Sequence, residues 1–343
     1  MGLLSRLPCF SVIEPQEANY SQQQPSHILK ELCHHFSLAD IQSAMRNIKE
    51  PSVLGKDSFG VVYKGYLQKS ATTVAIKIFR KGSLSGVSES QLKNEVLFLC
   101  QLQHPNIMPL LGFCIERDHE LVLVHDYMFN GSLHDHIHHR NNHKIDPLTW
   151  KKRLQICIGV ARGLHYLHTG SKSSVIHNYF KTGYIFLDKN WEPRISGLLL
   201  SKRGHIDVAR SSLVARNHGT FAYCDREYLA SGVLTVKSNV FSFGVVLLEV
   251  VSAKQARDLF LEHWNKPNYS LELNAEKIVD PFLKSKIAPD CWKKFIDITE
   301  RCLHKHGAER PNMGEVEVEL EHALQLQEEA ETKNGCFLDV SFV

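Results

Sequence analysis

The sequence predicts an α+β fold of two lobes, a small lobe rich in β-strands followed by a larger helical lobe. In the first part, the segments "VVYKGYL", "TTVAIKIF" and "LVLVHDYM" are typical of strands, and one helical segment, "SESQLKNEVLFLCQL", interrupts them. Past Gly131, apolar residues recur at helical spacing in "LTWKKRLQICIGVARGLHYLH". The apolar run "VFSFGVVLLEVV" is too short to span a bilayer and predicts a buried helix.

The composition is that of a soluble globular protein. Hydrophobic residues make up 43% of the 343 residues and charged residues 22%, and the net charge is only +3. So small a charge gives no field of one sign, and a nucleic acid partner is not predicted. The nine cysteines include no C-x-x-C pair, which favours reduced thiols in the cytosol over a disulfide framework or a zinc ribbon.

Changes in composition divide the chain into four parts. Residues 1–35 are polar and predict a flexible arm, and residues 36–128 form the small lobe (N-lobe) with a short preceding helix capped by Ser37. Residues 129–328 form the helical lobe (C-lobe), and residues 329–343 form a polar tail.

At the N-terminus, Gly2 suggests myristoylation, although the motif requires Ser or Thr at the sixth position, where Arg6 stands. Cys9 offers a site for a second acyl chain, and stable anchoring needs two; lipidation and an unmodified N-terminus both stay open.

A glycine-rich stretch, "LGKDSFGVV", precedes the second strand. In a phosphate-binding loop of the form G-x-G-x-x-G, glycines let backbone N–H groups approach the phosphates. Here Gly55 and Gly60 occupy the outer positions, and Asp57 replaces the middle glycine. A carboxylate repels a polyphosphate, so the sequence favours weak nucleotide binding, and an ordinary β-turn is the alternative.

Lys77 ends the strand segment "VAIK" and is a candidate for contacting phosphates. Glu95 lies on the following predicted helix, where the glutamate partner of such a lysine is expected. The order and spacing of these two residues favour a functional pair over a solvated surface pair.

Several further motifs occur in a fixed order. They include "FSLADIQSA", "HPNIMPLLGFC", "LVHDYMFNGSL", "RLQICIGVARGLHYLHTG", "KSNVFSFGVVLLEV" and "RCLHKHGAERPNMGEVEVELEHALQLQE". From about Phe36 to Glu328 the chain resembles the kinase domain of plant receptor-like kinases, most closely the FERONIA-like group with malectin-type ectodomains. The resemblance implies the two-lobed protein kinase fold. Because neither an ectodomain nor a membrane span is seen, the chain looks like a receptor-like cytoplasmic kinase, located in the cytoplasm or at the inner face of the plasma membrane.

The segment that resembles the catalytic loop H-R-D-x-K-x-x-N is degenerate. It reads "HNYFKTGY", in which His177 and Lys181 are kept, Tyr179 replaces the catalytic aspartate and Tyr184 replaces the metal-binding asparagine. Gly197 stands where the family's D-F-G motif has its aspartate, the second metal ligand. Neither tyrosine nor glycine suits Mg²⁺, which takes carboxylate, carbonyl and water oxygens, so no metal site is predicted. Losing a positioned base alone removes about 10²–10⁴ in rate.

The resemblance also implies structural and binding roles. Glu227 and Arg310 match a salt bridge that is structural in kinases, and Asn239 stands where an aspartate holds the catalytic-loop backbone. Residues implied for the adenine pocket are Val62, Ala75, Phe186, His125 at the back wall, and the hinge from Asp126 to Met128. Because phenylalanine is larger than the usual leucine, Phe186 is expected to fill adenine space. ATP binding without firm Mg²⁺ coordination stays open beside a self-packed pocket.

Two polar segments invite further interpretation. "LHDHIHHRNNH" suggests a metal site, but the resemblance places it on an exposed edge, so a solvated face of His134 and His138 is favoured. The loop "SKRGHIDVARSSLVARNHGT" offers acceptors for phosphate from another kinase, and an ordinary polar loop is the alternative.

The leading hypothesis is a pseudokinase that binds a receptor-like kinase or an immune receptor without transferring phosphate. The competing class is a serine/threonine kinase of weak or atypical activity, which the retained Gly55, Lys77, Glu95 and Lys181 support. A duplicated gene product without a selected role is a third possibility.

Overall fold

The computed structural model of the protein describes residues 33–48, 52–57, 59–80, 89–115, 121–138, 146–170, 174–203, 206–207, 221–260 and 275–338. The predicted lipidation sites Gly2 and Cys9 lie outside the described residues, as does most of the hydroxyl-rich loop, residues 208–220.

The N-lobe is built on a six-stranded sheet in the order β1-β5-β6-β4-β3-β2. Adjacent strands are antiparallel except that β1 runs parallel to β5. The strands are β1 (His34–His35), β2 (Val53–Lys56), β3 (Gly60–Leu67), β4 (Thr72–Phe79), β5 (Leu110–Ile115) and β6 (Leu121–Asp126). The lobe begins before residue 36, the start that the sequence predicts. Cys33 is buried in its core, and β1 pairs with β5 at the edge of the sheet.

The helix α1 (Leu38–Arg46) packs on one face of this sheet, as the apolar spacing predicts. Its first turn is closed by a capping box in which Ser37 and Asp40 each accept the other's backbone N–H. Ile41 and Ala44 are buried against Val74 and Val124 of the sheet. A polar cap and an apolar stripe of this kind fix both the start and the orientation of a short helix.

The second N-lobe helix, α2 (Glu89–Gln101), packs on the opposite side. Leu92, Val96 and Leu99 share its buried face and join the main core together with Leu123 of β6. This helix carries Glu95.

The C-lobe is helical, with short strand pairs near its boundary with the N-lobe. Its helices are α3 (Leu133–His138), α4 (Trp150–Thr169), α5 (Arg226–Ser231), α6 (Val236–Ser252), α7 (Ala256–Leu259), α8 (Ala275–Ile278), α9 (Pro289–Cys302) and α10 (Met313–Leu338). The apolar run predicted as a buried helix is α6, whose residues from Ser238 to Ser252 are all buried. Within the described parts of the chain, no helix combines the length and the apolar character needed to span a bilayer.

The last helix continues beyond the predicted boundary at residue 328, since α10 ends at Leu338. Side-chain hydrogen bonds from Gln325 to Glu329 and from Gln327 to Glu331 support this extension. Pairs spaced four residues apart stabilise an exposed helix that has few apolar residues to bury. The predicted polar tail is therefore helical in its first part.

Candidate functional site

A cavity of about 550 Å³ lies between the two lobes. That size is within the range of small-molecule sites. Its walls include most residues implied for the nucleotide pocket, namely Gly55, Val62, Ala75, Lys77, His125, Asp126, Met128 and Phe186. Gly60 and Glu95 are not among the lining residues. Phe186 is one of the lining residues, and the cavity has its volume of about 550 Å³ with this side chain in place.

Strand pairing explains why these side chains face one space. In the antiparallel ladder, Val62 of β3 lies opposite Lys77 of β4, and Ala75 lies opposite His125 of β6. Cross-strand partners point to the same face of a sheet, and so do residues two apart along a strand. Lys77 and Ala75 therefore share the face that covers the cavity. Burial lowers the pKa of His125 to about 4, and its Nδ1 lies 3.0 Å from the carbonyl oxygen of Pro109.

Asp57 holds the glycine-rich loop by internal hydrogen bonds. Its Oδ1 accepts the backbone N–H groups of Phe59 and Gly60, both at 2.9 Å. Its Oδ2 lies 2.6 Å from Nζ of Lys77, and both side chains are largely shielded from solvent. The carboxylate thus takes up the backbone donors and the cation that a phosphate-binding loop offers to a phosphate.

Gly60 is required by the close approach of two strands. A Cβ at this position would lie 2.1 Å from the carbonyl oxygen of Ile78 on β4. The glycine is therefore explained by sheet geometry, whether or not a ligand binds. Gly55, by contrast, has open space around it, with no atom within 4 Å of the place that a Cβ would take.

The predicted pair of Lys77 and Glu95 does not form. Glu95 instead accepts a hydrogen bond from Nη2 of Arg203 at 3.3 Å, while Lys77 is paired with Asp57. The nearby carboxylate of Asp57 competes for the ammonium group, and the guanidinium of Arg203 gives Glu95 another partner. The guanidinium itself lies over the ring of Phe98, 4.4 Å from its centroid.

His177, in the segment that resembles a catalytic loop, is held by two hydrogen bonds of its ring. Its Nε2 donates to the carbonyl oxygen of Ser196 at 2.7 Å, and its Nδ1 accepts the N–H of Tyr179 at 3.2 Å. This pattern fits a neutral imidazole with the proton on Nε2. Burial lowers the pKa of His177 to about 4, which keeps the ring neutral.

Asn239 of α6 holds the same loop although it is an amide. Its Oδ1 accepts the N–H of His177 at 2.8 Å, and its Nδ2 donates to the carbonyl oxygen of His177 at 2.7 Å. The Oδ1 atom also lies 3.2 Å from Nε2 of His168. A buried amide here satisfies the loop backbone without adding a charge.

Tyr179, which the sequence analysis predicts at the position of the catalytic base, is a packing residue. Its ring lies 6.0 Å from that of Phe59 in an edge-to-face arrangement, and it packs against Ile176, Tyr228 and Leu234. Burial raises the pKa of Tyr179. A neutral phenol in this setting cannot act as the carboxylate base of a kinase.

Tyr184 and Gly197, which the sequence analysis predicts at the two metal-ligand positions, lie against each other. Gly197 has φ of +82°, and a Cβ there would lie 2.7 Å from Cδ1 of Tyr184. Nζ of Lys181 lies 5.4 Å from the centre of the Tyr184 ring. Burial lowers the pKa of Lys181 and raises that of Tyr184. Neither Tyr184 nor Gly197 has a side-chain carboxylate or carbonyl oxygen, the kind of ligand that Mg²⁺ takes.

The structural salt bridge of the C-lobe differs from the prediction in one partner. Arg310 pairs with Asp225, at 2.8 Å, and the two side chains are 0% and 2% exposed. Glu227 is half exposed, and its Oε2 accepts the backbone N–H of Gly307 at 2.9 Å. Asp225 is favoured because it already caps α5, which aims its carboxylate inward, whereas Glu227 follows on the outer face of that helix.

The histidine run is also less exposed than predicted. On α3, the His136 side chain is buried and lies in hydrogen-bond contact with the carbonyl oxygen of Asn130, at 2.6 Å from Nε2. The side chain of His138 is only 3% exposed and lies 3.1 Å from Oε1 of Glu249. The six-residue helix lies against the turn Thr182–Tyr184 and contacts Glu249 of α6, so it buries more of its circumference than a solvated edge helix does.

Sequence reasoning leaves the roles of two residues of the site unassigned. The pattern marks Asp57 as unfavourable to phosphate, but its contact with Lys77 depends on the loop geometry. Asp225 is passed over, because the matching family position is Glu227. Aspartate is a frequent N-cap residue directly before a helix, and this preference is the one sequence pattern that indicates a role for Asp225.

The chain is similar to known kinases over most of its length. The family described as "Protein tyrosine and serine/threonine kinase" matches residues 48–320. Over 325 residues the chain is 43% identical to "Receptor-like protein kinase FERONIA" of Arabidopsis thaliana, covering 92% of this chain and 35% of that protein. Over 314 residues it is 43% identical to "Receptor-like protein kinase ANXUR2" of the same plant, covering 89% of this chain and 35% of that protein.

A third relative, "Receptor-like protein kinase ANXUR1" from Arabidopsis thaliana, is 42% identical over 314 residues. The chain spans about a third of the length of these relatives, since each alignment covers 35% or 36% of the relative. A sheet-based small lobe, a helical large lobe and a cavity between them agree with these similarities. The chain belongs to the protein kinase family, and the relatives to which it is 42–43% identical are receptor-like protein kinases.

Proposed function

We propose that this chain is a pseudokinase, a kinase-fold protein that acts by binding other signalling proteins without transferring phosphate. The observation that carries the proposal is the packing of Tyr184 against Gly197. By resemblance to the family these residues stand at the two metal-ligand positions, and a Cβ on Gly197 would lie only 2.7 Å from Cδ1 of Tyr184. Because Tyr179 also replaces the base, base catalysis and metal coordination are lost together.

The size of the loss supports this proposal. A positioned general base contributes about 10²–10⁴ in rate. Metal stabilisation contributes several kcal/mol more, at about 1.4 kcal/mol for each factor of ten. From a kinase turnover of about 1–100 s⁻¹, phosphotransfer would fall below ordinary detection.

The preserved frame supports a binding role. The contacts of Asn239 with His177 and of Asp225 with Arg310 maintain the C-lobe without contributing to chemistry. A protein that keeps a stable folded surface but has lost its catalytic residues is suited to act as a scaffold for other proteins. We propose a receptor-like kinase or an immune receptor as the partner, at the cytoplasmic face of the plasma membrane, with Gly2 and Cys9 as the sites of a lipid anchor.

A phosphotransfer assay tests the proposal directly. The purified chain is incubated with labelled ATP and Mg²⁺ or Mn²⁺, and incorporation is followed on the chain and on a general substrate protein. We expect no incorporation above that of the Lys77→Ala variant. Incorporation that Lys77→Ala abolishes would overturn the proposal, because it would show catalysis by this cleft.

The binding role needs a separate measurement. Proximity labelling in plant cells should recover a receptor-like kinase or immune receptor with the full chain. A variant with Gly2→Ala and Cys9→Ser should lose recovery of membrane receptors if lipidation places the protein at the membrane. Absence of any enriched receptor with the intact chain would favour a product without a selected role.

A second candidate function is nucleotide binding without catalysis, favoured by the open cavity of about 550 Å³. Titration with ATP, with and without Mg²⁺, distinguishes nucleotide binding without catalysis from an atypical kinase activity by the shift in unfolding temperature. We expect a weak shift that is independent of Mg²⁺, since Tyr184 and Gly197 provide no ligands for the metal. A strong shift that requires Mg²⁺ would instead support the atypical kinase.

A further inference from the structure

Two helices of the C-lobe bring three metal-binding side chains together, away from the interlobe cavity. His134 and His138 lie one turn apart on α3, with ring centroids 4.6 Å apart. Glu249 belongs to α6 and is 1% exposed. One ligand atom from each of the three residues lies within 4.8 Å of the other two. This cluster is called the His-His-Glu cluster below.

Glu249 is held in place by groups other than the two histidines. Its Oε1 accepts the N–H of Ala256 at 3.0 Å, and its Oε2 accepts the hydroxyl of Thr182 at 3.1 Å. Tyr223 donates its hydroxyl to the same Oε2. A buried carboxylate that is fixed by four neighbours, including His138, is oriented before any ion arrives.

The buried charge of Glu249 needs a positive partner. His138 Nε2 lies 3.1 Å from Oε1, and either a proton or a metal ion between them would supply the charge. His134 places a second imidazole one turn away on the same helix, with its ring centroid 4.6 Å from that of His138, and two imidazoles with a carboxylate suit a zinc ion. Two histidines at positions i and i+4 of a helix are a recognised arrangement for zinc.

We propose that the His-His-Glu cluster binds a zinc ion through His134, His138 and Glu249. Two imidazoles and a carboxylate form the donor set of known three-ligand zinc sites, in which water takes the fourth position. His134 is partly exposed and gives the ion a route from solvent. Side-chain movement on the order of 1 Å would bring the ligand atoms to the Zn–N and Zn–O distances of about 2.0–2.2 Å.

Zinc at this place would join three parts of the C-lobe. The ligands come from α3 and α6, and the turn Thr182–Tyr184 contacts both, since Thr182 Oγ1 lies 3.3 Å from Nδ1 of His134 and donates to Glu249. The site would therefore stabilise the turn that carries Tyr184. It does not depend on nucleotide binding or on partner binding.

Zinc titration of the full chain tests the proposal. The chain is freed of metal with a chelator and titrated with ZnCl₂ in competition with a chromophoric zinc indicator, and its thermal unfolding is followed in parallel. We expect one equivalent of zinc to bind specifically and to raise the unfolding temperature, while Mg²⁺ has no effect because it prefers oxygen ligands. X-ray absorption of the zinc complex should show two imidazole ligands.

Variants locate the ion. His138→Gln and His134→Gln should each weaken zinc binding by more than the roughly 10–100-fold that loss of an outer partner of a ligand costs. The matched control carries His304→Gln and His306→Gln, a pair on the C-lobe surface with ring centroids 6.0 Å apart, and should keep the affinity of the unchanged chain. His134 is partly exposed, so His134→Gln tests the site even if His138→Gln does not fold.

Three results would overturn the proposal: no specific zinc binding in the competition titration, equal affinity in the chain and in His134→Gln, or loss of affinity only in the control variant. The last would assign the zinc to the surface pair. None of these outcomes affects the proposed lack of phosphotransfer, which is measured without zinc.

Discussion

The ring of Tyr184 lies directly over Gly197, so close that a Cβ on Gly197 would meet Cδ1 of the ring at 2.7 Å. The two positions are therefore coupled: the tyrosine can occupy its place only because the neighbouring residue has no side chain. Gly197 also has φ of +82°, which glycine adopts without strain. Restoring a single family residue at either position would not rebuild a metal site.

This coupling predicts non-additive effects on stability. Gly197→Ala should destabilise the chain by about 1–3 kcal/mol through strain at positive φ, together with the clash. In the background of Tyr184→Ala the clash is absent, so a double-mutant cycle in denaturant unfolding should give a coupling of about 0.5–3 kcal/mol. Gly55→Ala is the matched control, because no atom lies within 4 Å of its added Cβ. Additive effects would contradict the coupling.

Removal of the Asp57 carboxylate should increase the affinity for nucleotide. In Asp57→Gly, Lys77 and the N–H groups of Phe59 and Gly60 lose their internal partner and become available to a phosphate. We expect ATP to bind more tightly on the order of tenfold, a change of about 1.4 kcal/mol, in calorimetric titration without metal. Asp57→Asn keeps an acceptor for the loop but removes the charge, so an equal gain in both variants would assign the effect to electrostatics. No gain in either would show that the Asp57–Lys77 contact does not limit binding.

The buried ion pair of Asp225 and Arg310 should be sensitive to loss of one partner. Asp225→Asn leaves the guanidinium without its counter-charge in a site where both side chains are at most 2% exposed. Breaking such a pair costs about 3–5 kcal/mol. Glu227→Gln, at the position that the family pattern indicates, should change the free energy of unfolding by less than about 1 kcal/mol, since the side chain is half exposed. The reverse order of effects would restore Glu227 as the partner.

Stability should fall as the pH is lowered from about 6.5 toward 4, through the titration of His177. Its folded pKa is about 4 against an ordinary value of 6.5, so within this window the unfolded chain binds the proton that the folded chain excludes. The free energy of unfolding therefore rises with pH across the window. Protonation of the folded ring would also remove the hydrogen bond from the N–H of Tyr179 to Nδ1.

The measurement is chemical unfolding at a series of pH values. His177→Gln should reduce the slope of unfolding free energy against pH by about one proton in this window. His322→Gln, at an exposed position of α10, is the control for a change of residue type. An unchanged slope in His177→Gln would show that His177 does not contribute to the pH dependence.

Much of the fold can be predicted from sequence because the periodic patterns are strong. The strands around Lys77, the capped helix at Ser37 and the largely apolar α6 each have a local sequence pattern that predicts them. The end of α10 is harder to place, because its last turns contain few apolar residues and rely on polar side-chain pairs. β1 is equally hard to predict, because it has only two residues, His34 and His35, and is defined by its pairing with β5.

The site can be predicted in its composition but not in its contacts. Sequence order predicts that Tyr179, Tyr184 and Gly197 are replacements, because each falls at a fixed position of the motif that the chain resembles. Which acid pairs with Lys77 or with Arg310 depends on distances of a few ångströms between segments remote in sequence. Similarly, the burial of the histidines on α3 depends on the packing of that helix against α6, and no local pattern reports that packing.

In a kinase with an intact glycine-rich loop, the phosphates of a bound nucleotide hold the loop to the sheet below it. Here Asp57 makes that attachment within the chain, from the loop backbone to Lys77 on β4. The attachment does not vary with the supply of nucleotide. The glycine-rich loop is therefore tied to β4 by the chain's own side chains, without a contribution from a bound phosphate.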